Sequence, residues 1–560
     1  MRERCLPATF LQWRFHGNGL TGFGGPHGAD RVNVDEPGDD EVWARVDALG
    51  ICASDAKMVR LGGTYPLFFD RDFEADPAVL GHEVALTLVH VGARWTERYR
   101  AGQRFGLQPD VFIDGRRMIF GVNLPGGMAQ YVKIEPAILE GGYLFDVPDG
   151  VAAVEVALTE PWACVDVAFA RRRRVIPLAG GVAWFRGVRS GGRPLKCSLT
   201  WPGRKVVVTD PPPGIVASLR ASGCEVLVLP RADERSALTA AGVDAFDDVV
   251  LFDPRESATV AGAVACLATD GCLNLALERR LDHLVEVDPN RLHYERLAIV
   301  GTRDLDVARA YGWERNRSEI VPRGTLVVLG ASGTMGRMHL DRVLRMPDPP
   351  GRIIAGGRDR ERMAHLETTY AERARASGVE FIVHAPGGRR GNLAECVAQV
   401  TDGRGCDDVV VVSPAVERIE EGAHLLAPGG ALNIFAGVGT GQRVHLPLDR
   451  IATEGLHVFG TSGSVSDDQR EVIRKTLAGT LVPADIVAAV GGIHAVRDAI
   501  AAVTERRYTG KIVIYPGLED LPLTDLAALA DRMGERMRCV LGLPARWSKQ
   551  AEKVLMETLT

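Results

Sequence analysis

The spacing of hydrophobic and polar positions changes along the chain. Over residues 30–165, short segments such as Val42–Val46 and Val84–Val91 alternate apolar and polar side chains and are separated by Gly and Pro turns. This period of two predicts half-buried β-strands. From about residue 204, apolar segments alternate with amphipathic helical segments, which is typical of a doubly wound α/β fold with a parallel sheet.

Four landmarks of the α/β region recur in one order, about 160 residues apart. They pair Asp247–Val250 with Asp407–Val410, Gly271–Asn274 with Gly430–Asn433, Asp288–Arg291 with Leu448–Arg450, and Gly301–Thr302 with Gly460–Thr461. A nearly constant offset over four landmarks predicts two copies of one nucleotide-binding fold. Chance similarity between generic α/β units is the alternative.

The two copies differ in their predicted phosphate loops. The second opens with strand Thr325–Leu329, followed by the Gly-rich segment Gly330–Gly336. The first is predicted to open with strand Lys205–Val208, followed by Thr209–Gly214. Three prolines in that loop have no N–H to offer a phosphate, and Asp210 would repel it. The first copy is therefore predicted to be degenerate and not to bind a cofactor.

The Gly-rich segment lies between an apolar strand and a helix, as a dinucleotide site requires. Gly330 and Gly333 permit a tight turn and close approach of a pyrophosphate, and Gly336 allows the helix to pack on the strand. A purely structural turn is the alternative. The predicted cofactor-binding residues of this segment are Gly330, Ser332, Gly333, Thr334, Met335 and Gly336.

The end of the next strand, Arg352–Ala355, bears on the choice of cofactor. NAD enzymes place an acidic residue there, whereas this chain has Gly356, Gly357 and Arg358. Small residues leave room for a 2′-phosphate, which Arg358 can bind with a charge-assisted fork. The sequence therefore favours NADP(H) over NAD(H). Asp359 is the competing contact for NAD, and a solvated turn is a further alternative.

Composition narrows the class of protein. A net charge of -6 shows no bias toward nucleic acid or an anionic membrane, and Arg171–Arg174 is interpreted as a solvated helix end. We find no signal peptide and no apolar segment long enough to span a bilayer. The ten cysteines include no CxxC pair and are expected to be mostly reduced. These features predict a cytoplasmic protein.

Three short segments carry candidate metal ligands: Gly50–Asp55, Gly81–Glu83 and Glu160-Pro161. Cys52, His82 and Glu160 offer a thiolate, an imidazole and a carboxylate, all of which suit tetrahedral zinc. Taken singly, each has a structural alternative: a small buried hydrophobe, a hydrogen-bonded core histidine and a helix N-terminal charge. Together, ahead of a nucleotide fold, they predict a metal site.

These segments, with Gly126–Tyr131 and Tyr508–Val513, resemble the catalytic domain of zinc-containing alcohol dehydrogenases of the medium-chain dehydrogenase/reductase superfamily. Glu160-Pro161 resembles the sorbitol dehydrogenase branch, and Gly102–Pro109 resembles the sorbose-phosphate reductase type. The resemblance implies a GroES-like, β-rich catalytic domain beside the Rossmann-type domain. No cysteine lies between Cys52 and Cys164, so only one, catalytic, zinc is expected.

The resemblance also implies roles for further residues. Ser54 would take the alcohol proton and pass it outward through cofactor hydroxyls or Lys57, and Lys57 stands where the family commonly has a relay histidine. Glu83 would be a transient or outer ligand, and Asp55 would orient His82. The nicotinamide would lie near two strand ends and the pyrophosphate near a lysine; the residues concerned are Gly437, Thr461 and Lys511.

These interpretations together predict five segments. They are a GroES-like catalytic domain (1–174), a degenerate Rossmann-like domain (175–320), an NAD(P)-binding Rossmann domain (321–465), a return to the catalytic domain (466–517) and a helical extension (518–560). The degenerate copy is expected to dock on the intact one as a pseudo-dimer, because an open sheet edge invites pairing.

The predicted function is zinc-dependent hydride transfer between NAD(P)(H) and a secondary alcohol or ketone of a polyol, sugar or sugar phosphate. The alternatives are a zinc-independent quinone or enone reductase and a non-catalytic NADP-binding or scaffold protein. A small-molecule substrate is the expected partner, with no nucleic acid and no membrane, and a homodimer or homotetramer is possible.

Overall fold

The structure is a computed structural model that describes residues 6–26, 28–113, 115–169, 173–187, 194–388, 390–439, 441–460 and 463–559. It divides into two compact units. One unit consists of Met1–Asp166 and Gly463–Thr560, and the other is Val167–Ser462. The first unit is therefore built from two segments that are distant in sequence.

The amino-terminal segment of the first unit is rich in short strands. They are β1 (Thr9–Gln12), β2 (Asp30–Asn33), β3 (Val42–Ile51), β4 (Glu83–Val91), β5 (Arg104–Leu107), β6 (Asp110–Ile113), β7 (Arg116–Ile119), β8 (Tyr131–Ile134) and β9 (Leu144–Asp146). Its helices are α1 (Ala53–Leu61), α2 (Pro136–Glu140), α3 (Ala153–Ala157) and α4 (Thr159–Asp166). Alternate residues of β3 are buried up to Ala48, and the rest of the strand is fully buried, which explains the period of two in the sequence.

The second unit begins with the first repeat. Its strands are β10 (Val182–Arg186), β11 (Lys205–Thr209), β12 (Glu225–Leu229), β13 (Phe246–Phe252), β14 (Leu267–Ala276), β15 (Val285–Val287) and β16 (Ala298–Thr302). Its helices are α5 (Ile215–Ala221), α6 (Glu234–Ala241), α7 (Ser257–Ala265) and α8 (Pro289–Tyr294). Six of the strands form a parallel sheet in the order β12-β11-β10-β13-β14-β16.

The second repeat has the same plan. Its strands are β17 (Thr325–Leu329), β18 (Arg352–Gly356), β19 (Glu380–His384), β20 (Cys406–Val411), β21 (Leu426–Ile434), β22 (Val444–Leu446) and β23 (His457–Gly460). Its helices are α9 (Thr334–Leu344), α10 (Arg360–Ala376), α11 (Leu393–Val400), α12 (Val416–His424) and α13 (Asp449–Glu454). The sheet order β19-β18-β17-β20-β21-β23 repeats that of the first copy, and both follow the Rossmann order. The predicted duplication of a doubly wound parallel sheet is confirmed.

The recurring Asp-Asp pair has a structural cause. Asp247 accepts a hydrogen bond from the backbone N–H of Val182 at 2.8 Å, and Asp407 accepts one from Thr325 at 2.8 Å. Each carboxylate thus satisfies the first N–H of the central strand of its own repeat. A buried N–H without a partner is costly, so both copies retain the aspartate.

The second aspartate of each pair binds an arginine. Asp248 lies 2.7 Å from Arg174, and Asp408 lies 2.7 Å from Arg317. Both carboxylates are buried. Arg173, which is buried, stacks its guanidinium over the ring of Phe459 at 3.8 Å. The predicted solvated helix end is therefore wrong for Arg173 and Arg174, while Arg171 and Arg172 lie outside the described residues.

The first repeat opens at β10 and not, as predicted, at Lys205–Val208. β10 holds the central position that β17 holds in the second repeat, and Lys205–Val208 belongs to the second strand, β11. In the second repeat, α9 joins the first two strands, but the residues described between β10 and β11 (187 and 194–204) contain no helix. That part of the first repeat lacks the helix N-terminus that would bind a pyrophosphate. Pro211–Pro213 instead follow its second strand.

The two repeats dock on each other. β15 pairs antiparallel with β22, with Val285 opposite Leu446 and Val287 opposite Val444. The edge strands β16 and β23 are in contact, and buried side chains of both repeats form one continuous hydrophobic cluster. The sheets meet through packing and through this separate ribbon, as the pseudo-dimer hypothesis expects.

The carboxyl-terminal segment completes the first unit. Its strands are β24 (Val487–Gly492), β25 (Lys511–Tyr515) and β26 (Thr524–Asp525). Its helices are α14 (Ser466–Leu477), α15 (Val496–Glu505), α16 (Leu526–Met533), α17 (Glu535–Leu541) and α18 (Lys549–Leu559). The eight-stranded sheet of this unit runs β26-β24-β25-β3-β4-β5-β9, with β8 also paired to β3. Among the described residues, no helix has the length and apolar character to cross a membrane.

Candidate metal and dinucleotide sites

Cys52 lies at the junction of strand β3 and helix α1. It occupies the N-cap of α1 in an extended conformation, and its backbone N–H donates to Asp55 Oδ2 at 2.8 Å. A carboxylate in the first turn satisfies an otherwise unpaired N–H and suits the positive end of the helix dipole. The thiol is therefore held at a fixed helix start beside the buried side chain of Asp55.

Glu83 begins β4, which runs antiparallel to β3, and His82 directly precedes this strand. One ligand atom each from Cys52, His82 and Glu83 lies within 4.8 Å of the others. His82 Nδ1 is 3.3 Å from Asp55 Oδ1, as predicted for an orienting carboxylate. Its other ring nitrogen, Nε2, is 3.3 Å from Ser54 Oγ.

The charges around His82 favour its protonated form when no metal is bound. Burial alone lowers the pKa of the imidazole, but the charge and hydrogen bond of Asp55, together with Cys52, raise this pKa well above its usual value. A cation at this position would therefore interact favourably with the same groups. The cluster is electrostatically suited to a positive charge.

Glu83 and Lys511 form a buried ion pair. β25 pairs with β3 so that Ile512 is opposite Ile51, which brings Lys511 beside Cys52. The Lys511 ammonium contacts Glu83 Oε1, and the two side chains are 4% and 0% exposed. Burial lowers the pKa of Lys511, but the charges of Glu83 and Cys52 raise it above the usual value.

Lys511 is thus placed differently from the sequence-based prediction, which assigned it to the pyrophosphate. An ammonium group committed to a buried carboxylate is not available to bind a phosphate. Gly50 accommodates this pair, because a Cβ at that position would lie 2.1 Å from Glu83 Oε2. The sequence offered no signal for the contact, since its two partners are 428 residues apart.

Glu160 lies near this cluster but is not one of the three residues that meet within 4.8 Å. It stands in the first turn of α4 and accepts a hydrogen bond from the Cys164 thiol at 3.5 Å. Burial raises the pKa of Glu160, and the charge of Glu83 adds to this rise, while His82 and Lys511 oppose it. Sequence reasoning missed Cys164, although its spacing of four residues from Glu160 places both on one helix face.

Ser54 and Lys57 lie on α1, one turn apart. Both are half-buried, and Ser54 Oγ is next to His82 as described above. Burial, with a contribution from the charge of Arg60, lowers the pKa of Lys57. An amine with a lowered pKa exchanges protons more readily near neutral pH.

The Gly-rich loop of the second repeat has the predicted form. Gly330 has a positive φ of 92°, and Gly333 is the N-cap of α9. A Cβ at Gly336 would lie 2.5 Å from the carbonyl oxygen of Gly330, so the helix can approach the loop only if this residue is glycine. Ser332, Thr334 and Met335 are half-buried around the same helix start.

A cavity of about 370 Å³ opens beside this loop. Gly330, Gly357 and Arg358 line it, together with Arg418 and Glu421, which the sequence analysis did not single out. Asp359, the competing candidate for an NAD contact, instead caps α10 by accepting from the N–H of Arg362 at 3.0 Å. The Asp359 carboxylate is thus engaged in capping the start of α10, while Arg358 lines the cavity.

The two remaining predicted cofactor contacts lie at strand ends of the second repeat. Gly437 follows β21, the strand Leu426–Ile434, and is half-buried. Thr461 directly follows β23 and lies outside the described residues. The Gly-rich loop, the cavity and Gly437 therefore belong to one repeat.

Comparisons with known proteins agree with this architecture. Residues 38–140 match the model of the alcohol dehydrogenase GroES-like domain. The chain is 31% identical over 249 residues to mannitol-1-phosphate 5-dehydrogenase of Aliivibrio fischeri, covering 42% of this chain and 56% of that protein. It is 23% identical over 525 residues to L-sorbose 1-phosphate reductase of Klebsiella pneumoniae, covering 92% of each. The chain thus spans little more than half the length of the first of these relatives.

A solved structure shows the same fold. The chain superimposes on an Escherichia coli oxidoreductase/dehydrogenase of unknown specificity with a TM-score of 0.51 and 15% identity, over 90% of this chain and 99% of that one. A GroES-like domain joined to a Rossmann domain defines a class of oxidoreductase folds. The chain has this fold, which is that of the medium-chain dehydrogenase/reductases, with a second Rossmann-type repeat.

Proposed function

We propose that the protein is a zinc-dependent oxidoreductase that transfers a hydride between NADP(H) and a secondary alcohol or ketone of a polyol, sugar or sugar phosphate. The observation that carries the proposal is the meeting of Cys52, His82 and Glu83 within 4.8 Å. Thiolate, imidazole and carboxylate together are a ligand set that zinc prefers.

The residues present fit such an ion. Glu83 Oε2 is buried and has no hydrogen-bond partner among the described residues. Buried polar atoms without partners are rare and costly in folded proteins. A cation held by Cys52, His82 Nε2 and Glu83 would neutralise the excess of carboxylates and leave Asp55 to fix the imidazole.

When bound, zinc would supply a Lewis acid for the substrate oxygen, and NADP(H) would supply the hydride donor or acceptor. The chain's own residues supply the path for the proton. Ser54 Oγ lies beside His82 Nε2 and would receive the hydroxyl proton of the alcohol. Lys57, one turn further along α1, would pass that proton toward solvent.

Two of the relatives support the proposed substrate class. Both the mannitol-1-phosphate 5-dehydrogenase and the L-sorbose 1-phosphate reductase are named for a phosphorylated polyol or ketose. Because the second of these aligns with 92% of this chain, we favour a substrate of this type. The cytoplasmic location and a homodimer or homotetramer remain predictions from the sequence.

Metal analysis and turnover test the proposal together. Protein purified without chelator should contain about one zinc per chain and should oxidise NADPH in the presence of a ketose or ketose phosphate. Chelation should abolish turnover, and added zinc should restore it. Reduction of quinones or enones by the zinc-free protein would instead support the zinc-independent reductase, and cofactor binding without any turnover would support a scaffold.

Arg358→Ala should weaken NADPH binding and leave NADH binding nearly unchanged. Loss of a charge-assisted hydrogen bond to the 2′-phosphate costs about 1.5–3 kcal/mol, which is roughly 10- to 150-fold in Kd. Fluorescence titration of both cofactors measures the change. The matched control is Arg375→Ala, near the other end of α10, which should affect neither cofactor. Tighter binding of NADH than NADPH by the parent protein would contradict the assignment.

A further inference from the structure

Helix α8 of the first repeat holds the loop that follows β21 of the second repeat. Asn290 accepts a hydrogen bond from the N–H of Val438 at 3.1 Å, and its amide donates to the carbonyl of Gly439 at 3.5 Å. His293 Nδ1 lies 2.9 Å from the carbonyl oxygen of Ile434. Residues of the other repeat thus bind the loop at Ile434, Val438 and Gly439.

Tyr294 covers the middle of the same loop. A Cβ at Gly437 would lie 2.1 Å from the Tyr294 hydroxyl, so the phenol occupies the space that any larger residue at 437 would need. The ring packs edge-on against His293, with centroids 4.4 Å apart at 83°. About 44% of Tyr294 nevertheless remains exposed. Its position is fixed, and part of its surface is open to a ligand.

The same helix reaches the second strand end of the predicted nicotinamide region. A Cβ at Gly460, the last residue of β23, would lie 2.5 Å from the Cα of His293. α8 therefore borders both strand ends that the sequence analysis assigned to the nicotinamide. All of these contacts lie within the second unit.

The pseudo-symmetry of the repeats shows what is particular about α8. Its counterpart is α13, because Arg291–Glu295 and Arg450–Glu454 form the same i,i+4 ion pair in the two helices. Gly301 packs against Ala452 as Gly460 packs against His293. In this register the counterparts of His293 and Tyr294 are Ala452 and Thr453.

The two helices therefore differ in the residues that they direct toward the opposite repeat. Imidazole and phenol face the repeat with the intact Gly-rich loop, while the side chains toward the degenerate repeat are small. Docking alone does not require this difference, since the interface on the Ala452 side packs without either ring. The asymmetry points to a ligand on the intact side.

We propose that Tyr294 of the first repeat is a positioning residue for the nicotinamide half of a dinucleotide bound to the second repeat. This inference rests on the proposed function and on the sequence-based expectation that the nicotinamide lies near Gly437. A phenol hydroxyl can both donate to and accept from a carboxamide, and its ring edge offers an apolar surface. The degenerate repeat thus contributes to a cofactor site that it no longer contains itself.

Calorimetric titration of the full-length, zinc-loaded protein tests the proposal. The ligands are NADPH and 2′,5′-ADP, which has the adenosine phosphates but no nicotinamide; if NADH binds more tightly, NADH and AMP replace them. Tyr294→Ala should raise the Kd of the dinucleotide about tenfold and leave that of the fragment unchanged, and Tyr294→Phe should give a smaller increase. Thr453→Ala, at the pseudo-equivalent position, should change neither.

The outcomes separate the two proposals. A parent protein that binds neither dinucleotide overturns the proposed function and, with it, this inference. If the parent binds the dinucleotide, unchanged affinity in Tyr294→Ala overturns only the role of Tyr294. Equal weakening of dinucleotide and fragment also overturns it, because that pattern reports a general disturbance of the repeat. Should Tyr294→Ala fail to fold, unchanged dinucleotide binding by Tyr294→Phe overturns the role of the hydroxyl.

Discussion

Cys52→Ser is expected to yield a folded protein that contains almost no zinc and has lost turnover. A serine hydroxyl stays protonated at neutral pH and replaces a thiolate poorly as a zinc ligand. Loss of the Lewis acid removes several kcal/mol of transition-state stabilisation, which is at least about 10³-fold in rate. The zinc content per chain tests the loss of metal, a turnover assay tests the loss of activity, and circular dichroism tests whether the protein is folded.

The exposed Cys539 provides the matched control. Cys539→Ser removes a thiol of the same chemistry from the surface and should retain both zinc and activity. Full zinc content in Cys52→Ser would place the metal elsewhere. About two zinc ions per parent chain would contradict the expectation of a single, catalytic ion.

Zinc content also distinguishes the two candidate carboxylates. Glu160→Gln leaves the Glu83–Lys511 pair intact and should keep most of the zinc if Cys52, His82 and Glu83 hold it. Loss of zinc from this variant would support the sequence-based prediction that Glu160 is the third ligand. The structure brings Glu83 into the cluster, and this single substitution tests that placement.

Lys511→Met should destabilise the metal-free protein by about 3–5 kcal/mol, because it leaves the fully buried Glu83 carboxylate without its partner. The double variant Lys511→Met/Glu83→Gln should recover much of this loss, since both charges are gone. Urea denaturation of the metal-free proteins measures the difference. The substitution destabilises the folded state, because the buried Glu83 carboxylate has lost its contact with water and no longer has a positive partner.

A matched control is Lys133→Met, which breaks the partly exposed pair of Lys133 and Glu41, where the lysine side chain is 47% exposed. Surface pairs of this kind contribute about 0–1 kcal/mol. Equal stability of Lys511→Met and the parent would show that the buried ion pair does not stabilise the metal-free protein. If the double variant recovers no stability, the loss of stability in Lys511→Met comes from packing of the lysine side chain.

Local patterns allowed the strand, tight turn and helix of the Gly-rich segment to be predicted. Gly330, Gly333 and Gly336 were identifiable because a strand, a tight turn and a helix follow each other within a few residues. Cys52 and His82 were identifiable as candidate metal ligands by residue type and by the resemblance. The duplication was visible because the Asp-Asp pairs are needed in each copy for the same hydrogen bonds.

Long-range packing could not be predicted in this way. β10 was overlooked because its segment, with Trp184 and Phe185, lies before a connection without a recognisable helix, while the more regular β11 resembled an opening strand. The Lys511–Glu83 pair depends on the pairing of β25 with β3, which no sequence spacing indicates. Tyr294 was missed because its partner, Gly437, lies in the other repeat.

The docking of the repeats through β15 and β22 changes how this protein can respond to dilution and to mutation. In an ordinary dimer, contact between two such domains depends on protein concentration. Here the partners are joined in one chain, and the contact has a fixed effective concentration. A substitution in a homodimer also appears on both sides of the axis at once. In this chain a substitution changes only one of the two repeats. The aromatic residues His293 and Tyr294 could therefore arise in the first repeat while their counterparts, Ala452 and Thr453, remained small.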